Sequence, residues 1–544
     1  MDAPAPLFAM IALPLSVFGP LDWGVLGAYF AVMIYIGVVA ARKDQDTREY
    51  FLAHRSIPTW AVAISIVATS LSAATFIGVP DEACNGNITY LLLSGGGLIA
   101  VLIVAVLFVP RLYRAGTVTI YGYLGERYGP GATVAVSVVF LLGRMLASGA
   151  RLFIAAGPVC LLMFAGRGQN DFLPTRGQLA LAICLIGLIG TFYTSFGGIR
   201  TVIWIDVIQF FIVVGAAVLS VAMLLHKTPL SARQMVDVLS SPASGPGGHG
   251  KLFLFDTSFD SSHKFTIWTA FFGATFLNIA AFGVDQDLAQ RFLVAKSVTR
   301  GALSLIWAQL ISLCVVCGFL SIGLLLYLFH HPQGGSAAAI VWAYPKFLLN
   351  ETPTVLSGLA IVGFFAIAQG SMDSAINALA SSAVADIYYP LRRRLGNDAD
   401  PSRDTATPKI AVAVMGVLMS LLAIVCIFMY DPKNDTLINF ALSILAYPFA
   451  GMLGVFLAAL LTRRGNTATV VCGLIGGILT VVLLQPAILA WWSGMLVGHP
   501  LKLASMWWMP IGTTVSFLAC VSGSSDRSVT VGAFPVIQSS RQQL

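Results

Sequence analysis

A chain of 544 residues that is 57% hydrophobic and only 10% charged cannot hide its apolar side chains inside a water-facing globule. A mean hydropathy of +0.85 describes instead a polytopic membrane protein whose partner is the lipid bilayer. The net charge of +7 comes from 31 basic residues spread over many short loops, so it reads as topology and excludes nucleic acid as a partner.

Apolar stretches of about 20 residues or more predict helices near 22–41, 58–80, 91–113, 132–165, 178–196, 203–226, 266–292, 302–330, 354–388, 409–430, 437–462, 467–489 and 503–522. That is an all-α protein of about thirteen transmembrane helices with no soluble domain. An odd number puts the termini on opposite sides. Most basic residues fall on the cytoplasmic side if the N-terminus is outside, led by Arg42, Lys43, Arg48 and Arg55 and by Arg392, Arg393 and Arg394. The expected location is a plasma membrane, a bacterial inner membrane for choice, with the C-terminus in the cytoplasm. Oligomeric state is not legible.

The outer segment 1–21 is apolar, but no basic stretch precedes it and Pro4, Pro6, Pro14 and Pro20 interrupt it, which argues against a cleaved signal peptide. A leading helix, 22–41, follows. Helix two then carries Ala68-Thr69-Ser70-Leu71-Ser72-Ala73-Ala74-Thr75, a run of small and hydroxylated residues. Helix four holds Arg144 and Arg151, seven residues apart and hence on one face of an otherwise apolar span. Buried guanidinium groups want anions: a carboxylate of the solute, an internal acid such as Asp373, or backbone carbonyls. Helix six opens on Gly197-Gly198-Ile199-Arg200 and carries Asp206 near its start. A carboxylate there costs roughly 2.5–3.5 kcal/mol on insertion scales, so it marks either a cation site or a pair with a neighbour such as Arg200.

The loop 227–263, rich in Ser, Pro and Gly at 240–248, separates the five helices of 58–226 from the five of 264–462. An odd number of spans per set inverts the second set relative to the first, an organisation typical of transporters. Helix seven carries Gly273-Ala274-Thr275-Phe276-Leu277-Asn278-Ile279-Ala280-Ala281-Phe282-Gly283, the counterpart of the helix-two run. Both runs are candidates for an unwound segment at mid-membrane, and both would also permit close packing. On helix nine, Ile367, Gly370, Ser371 and Ser374 share a face that offers oxygen ligands. Two trailing helices, 467–522, and a polar tail, 523–544, complete the chain.

Chemistry of other kinds finds little support. The seven histidines lie in loops or near span ends, and the eight cysteines mostly inside spans. Cys314-Val315-Val316-Cys317 sits in an apolar helix, where thiols pack rather than carry redox or zinc chemistry. No nucleophile–base pair or metal cluster appears at depth, so an enzyme is not expected. A sensor built on the same bundle would append a signalling domain, and the tail reads as disordered. A channel would share the oxygen-rich path without needing a solute pocket.

The chain resembles the sodium:solute symporter family over roughly 40–465. The residues that carry the resemblance are Tyr50-Phe51-Leu52 with Arg55-Ser56, the GGIRTVIWIDVIQ stretch at 197–209, Gly283-Val284-Asp285-Gln286 with Gln290-Arg291, and the helix ending in Asp386-Ile387-Tyr388. The resemblance implies an inverted-repeat core of the leucine-transporter type, five helices plus five, and Na+-driven uptake by alternating access. Na+ is then the co-transported ion, with no organic cofactor. The main sodium site would take carbonyls from Ala68, Leu71 and Ile367 and the hydroxyl of Ser371. Many members show two adjacent hydroxyl residues where this chain has Gly370 before Ser371, so Ser374 or Asp373 would have to compensate. Asp206 matches an acidic residue used by some members for a second or exiting cation. Asp373 joins it as a second-cation candidate, or as a proton carrier where no metal ion sits beside it.

The small-molecule solute would meet Ser70 and Thr75 of helix two, Asn278 and Phe282 of helix seven, and Arg144 and Arg151. Sugar-transporting relatives place an aromatic pair after the asparagine and a lysine on helix eight. Here Ala281 precedes Phe282 and Ser312 stands at the lysine position. The expectation is therefore an organic anion, a sugar acid or a monocarboxylate, with a neutral sugar or polyol as the alternative.

Overall fold

The computed structural model describes residues 20–41, 47–164, 174–263, 265–332, 342–396, 404–429 and 437–523. Almost all of segment 1–21, Arg42 and Lys43, and the tail from 524 lie outside them. Among the described residues the only β-bridge is an isolated parallel one between Ile57 and Ala295.

The leading helix is α1, Pro20–Ala41. The first set follows as α2, Thr59–Ser70, α3, Ala73–Asn85, α4, Thr89–Ala115, α5, Pro130–Phe164, α6, Arg176–Ser195, and α7, Gly197–Lys227. The second set comprises α8, Thr269–Gly283, α9, Gln286–Leu293, α10, Val298–His330, α11, Thr354–Ser382, α12, Ala406–Met429, and α13, Leu437–Leu461. The trailing elements are α14, Thr467–Leu483, α15, Pro486–Val497, and α16, Trp508–Val521. Helix occupies every interval expected from hydropathy. Seven of the described helices are long and apolar enough to cross a bilayer, nine if each bent pair counts as one span.

Two departures concern where helices stop. The interruption in helix seven falls at Val284–Asp285, just beyond the glycine-flanked run that the sequence offers, because Asp285 caps α9 by accepting from the Asp287 amide at 3.1 Å. The last-but-one expected span, 467–489, turns by 81° between α14 and α15, where Pro486 opens a new helix.

Helix α11 is the central rod. It packs against α1, α2, α5, α6, α7 and α12, while α14 and α16 close on α13 at one side. The glycine pair 197–198 has a geometric cause. Gly198 adopts φ +60°, and a Cβ there would stand 2.4 Å from the Tyr50 carbonyl, so only glycine lets α6 turn into α7 against the segment before α2. Lys251, from the long loop, donates to the Cys84 and Gly86 carbonyls at 2.7 and 3.0 Å and lies 4.1 Å from the Tyr327 ring centre, tying the end of α3 to α10. Burial there pulls its ammonium below the usual lysine range.

Before α2 the chain makes a left-handed turn without a glycine: Ala53, His54 and Arg55 have φ of 47°, 49° and 54°. Several contacts hold it, one of them from His54 Nε2 to Glu49 Oε2 at 3.3 Å. Arg55 stacks 4.1 Å from the Tyr113 ring centre, and Arg200 donates to Ser56 Oγ at 3.0 Å and to the Ala53 carbonyl at 3.4 Å. A left-handed residue with a Cβ costs about 1–2 kcal/mol. His54→Gly is therefore expected to stabilise the folded protein by about 1 kcal/mol, read as a higher melting temperature in detergent; an unchanged or lower value contradicts the strain.

Candidate functional site

The first half of the site forms where α2 stops. Leu71 (φ −71°, ψ 113°) and Ser72 (φ −110°, ψ 167°) run extended before α3 begins. A helix that ends in hydrocarbon leaves its last carbonyls without partners ahead of them. The Leu71 carbonyl accepts from Ser371 Oγ of α11 at 3.3 Å. Ala68, Leu71 and Ile367 line a cavity of about 10 Å³ together with Gln209, room for one guest the size of a water molecule. Phe210, Val213 and Ala366 complete its wall, and Ser371 lies outside it. Among the described residues no cluster of His, Cys, Asp and Glu could hold a metal.

Ser374 is engaged elsewhere. Its hydroxyl donates to the Gly370 carbonyl at 2.7 Å, lies 3.2 Å from Thr69 Oγ1 and accepts a short bond from Arg291. Arg291 explains Asp206. Its Nη2 is 3.0 Å from Asp206 Oδ2, its Nη1 is 2.9 Å from Asp287 Oδ1, and its Nε donates to Ser65 Oγ at 2.9 Å. Ser65 in turn donates to Asp206 at 2.5 Å. Arg200, the neighbour that the sequence offered as partner, points instead to Ala53 and Ser56.

Arg144 is likewise consumed. Its Nη1 reaches Asp285 Oδ2 at 2.5 Å and its Nη2 makes a short contact with Asp287. It thus pairs with internal acids, though not with Asp373. Asp285, Asp287 and Asp206 face Arg144 and Arg291 in one buried chain, leaving it one positive charge short. Asp373 is fully buried and accepts from the Tyr193 hydroxyl on Oδ2, while its Oδ1, with Thr194 close by, makes no well-formed hydrogen bond among the described residues.

The second half is a cavity of about 200 Å³ between the two interrupted helices. All six residues expected to meet a solute line it: Ser70, Thr75, Asn278, Phe282, Arg144 and Arg151. Asn278 holds its amide toward the Ala274 carbonyl at 2.8 Å. Arg151 makes no close ion pair among the described residues, although Asp285 lines the same pocket and acts on it at longer range. Leu71 lines both this pocket and the 10 Å³ cavity. Ser312, rather than a lysine, is on the wall.

Sequence reasoning overlooked Asp285, Asp287, Arg291, Tyr90 and Gln309 as site residues, the last two being pocket wall. The signal for the first three was present in the run 283–291, three charged residues in a span that should carry few.

Comparison with known proteins gives the family and the fold. The sodium:solute symporter family matches residues 50–477. The sodium/sialic acid symporter SiaT of Proteus mirabilis is 27% identical over 86% of this chain and 90% of its own. The human sodium-coupled monocarboxylate transporter 2 is 25% identical over 91% of this chain and 76% of its own. A substrate-bound, outward-open Na+-coupled sialic acid symporter superposes with a TM-score of 0.76 at 23% identity, covering 93% of this chain and 98% of its own, and shows the same fold.

Removing one member of a buried charge chain leaves its partner uncompensated, at a cost of about 3–5 kcal/mol. Arg291→Gln should therefore lower folded yield and melting temperature sharply. Adding Asp206→Asn should restore part of the loss, since the pair is coupled. Additive losses in thermal melts would refute the pairing.

Proposed function

The chain belongs to the sodium:solute symporter family, and on that footing we propose that it imports a small organic anion, a sugar acid or a monocarboxylate, together with Na+. It is a transporter of the multi-pass membrane class and not an enzyme. The observation that carries the substrate class is the contrast between two arginines on one helix: Arg144 is held by Asp285 and Asp287 in close ion pairs, whereas Arg151, on the same pocket wall as Asp285, makes no close ion pair among the described residues. A guest carboxylate would complete it with a bidentate pair. Relatives named for sialic acid and for monocarboxylates support the same chemistry.

Na+ would sit where the α2 carbonyls meet Ser371. Leu71, shared by the cation cavity and the solute pocket, supplies the coupling: an ion that fixes the extended segment also fixes one wall of the pocket. Rocking of the two sets about this centre would then expose it to each side in turn. The Oδ1 oxygen of Asp373 supports a second cation, metal or proton, beyond the first site. The basic clusters favour a cytoplasmic C-terminus.

Reconstituted vesicles with an inward Na+ gradient are expected to concentrate a labelled sugar acid or monocarboxylate, with inhibition by carboxylates rather than by neutral sugars. Arg151→Gln should raise the half-saturating solute concentration about 10- to 100-fold, the weight of a charge-assisted hydrogen bond. Inhibition by neutral sugars alone would overturn the anion reading, and uptake indifferent to Na+ would overturn the coupling.

A further inference from the structure

Gly370 withholds a side chain beside Gln209, a wall residue of the small cavity, and the structure shows what faces the gap. A Cβ at this position would come 2.7 Å from Gln209 Oε1 and 3.7 Å from Asp206 Oδ1. Both oxygens are buried and without a hydrogen-bond partner. Gln209, 2% exposed, is anchored at its other end: Nε2 donates to the Tyr29 hydroxyl at 3.0 Å, and that hydroxyl donates onward to Gln369 Oε1 at 2.9 Å. With its amide nitrogen held on Tyr29, the side chain turns its carbonyl toward α11. Gln209 also shares the wall of the 10 Å³ cavity with Ala68, Leu71 and Ile367.

We infer that Gln209 supplies, through Oε1, the sodium ligand that Gly370 lacks. The inference rests on the sodium reading above and deepens it. An amide oxygen is as acceptable to a hard cation as a hydroxyl. The exchange moves one ligand from α11 to α7, which lets a longer side chain reach across the space that a residue smaller than serine leaves. The ion then bridges α2, α11 and α7, and a buried acceptor that no donor among the described residues satisfies gains its partner. Gly370→Ser alone would crowd that oxygen; with the glutamine shortened, it would offer a hydroxyl in the vacated space.

The test needs no solute. Purified protein is titrated with NaCl at constant ionic strength against choline chloride, and the melting temperature is followed, since an ion that binds only the folded state raises it. Gln209→Ala is expected to shift the sodium midpoint upward by about tenfold or more, and Gln209→Ala/Gly370→Ser to bring it back to within about threefold of the parent. Tyr29→Phe, which cuts the anchor and keeps the oxygen, should move it by less than about threefold. Should Gln209→Ala not fold, Gln209→Met keeps the length, loses the oxygen and reads the same midpoint. An unchanged midpoint in either Gln209 variant overturns the inference, as does an equal shift in Tyr29→Phe without rescue by Gly370→Ser, which marks a packing link only. A parent protein whose melting ignores Na+ fails at the earlier step and overturns the sodium reading itself.

Discussion

Hydrocarbon offers no water to a broken helix or a lone charge, and the architecture follows from how this chain meets that constraint. It interrupts a helix at Leu71–Ser72 and again at Val284–Asp285, and answers the two breaks differently. The second is satisfied from within: Asp285 caps the helix it opens and binds Arg144, and Asp287 and Arg291 extend the chain of charge to Asp206. The first stays incomplete. One carbonyl meets Ser371, a small cavity remains beside it, and unpartnered oxygens of Asp206, Gln209 and Asp373 lie in the surrounding helices. A structure that caps one break from within and leaves the other beside a small cavity and unpartnered oxygens would suit a mobile cation at the first.

That asymmetry also gives a physical basis for coupling. Leu71 borders the cation cavity on one side and the solute pocket on the other, so the same extended residue takes part in both. A ligand shifts an equilibrium only by its differential affinity for the two states, and coupling between two ligands is reciprocal. An ion that orders residues 71–72 therefore favours solute binding to the same degree that solute favours the ion. The central rod α11 carries Ser371 at this junction and contacts helices of both sets, which suits it to transmit the change.

Much of the fold was legible because hydropathy is local. Each long apolar run became helix, and the hydroxyl-rich run around Leu71 marked a true interruption. Spacing also placed Arg144 and Arg151 on one face, and both reach the pocket. What spacing could not tell is what stands opposite. Asp206 and Arg291 are 85 positions apart, and Arg144 and Asp285 are 141 apart, so no periodicity connects them. The second break was misplaced for a related reason: its cause is a capping carboxylate at 285, whereas the search followed glycines. Gly370 was recognised as a missing ligand, yet compensation was sought on its own helix, while the side chain that faces the gap belongs to α7.

The central claim is that the carbonyls left open at the end of α2 are completed by Na+. A pair of experimental density maps of the same protein, one in sodium and one in choline, tests it most directly. The account predicts a compact peak among the oxygens of Ala68, Leu71, Ile367 and Ser371 in sodium that vanishes in choline. Identical density in both, or an α2 that continues unbroken into α3, would contradict it.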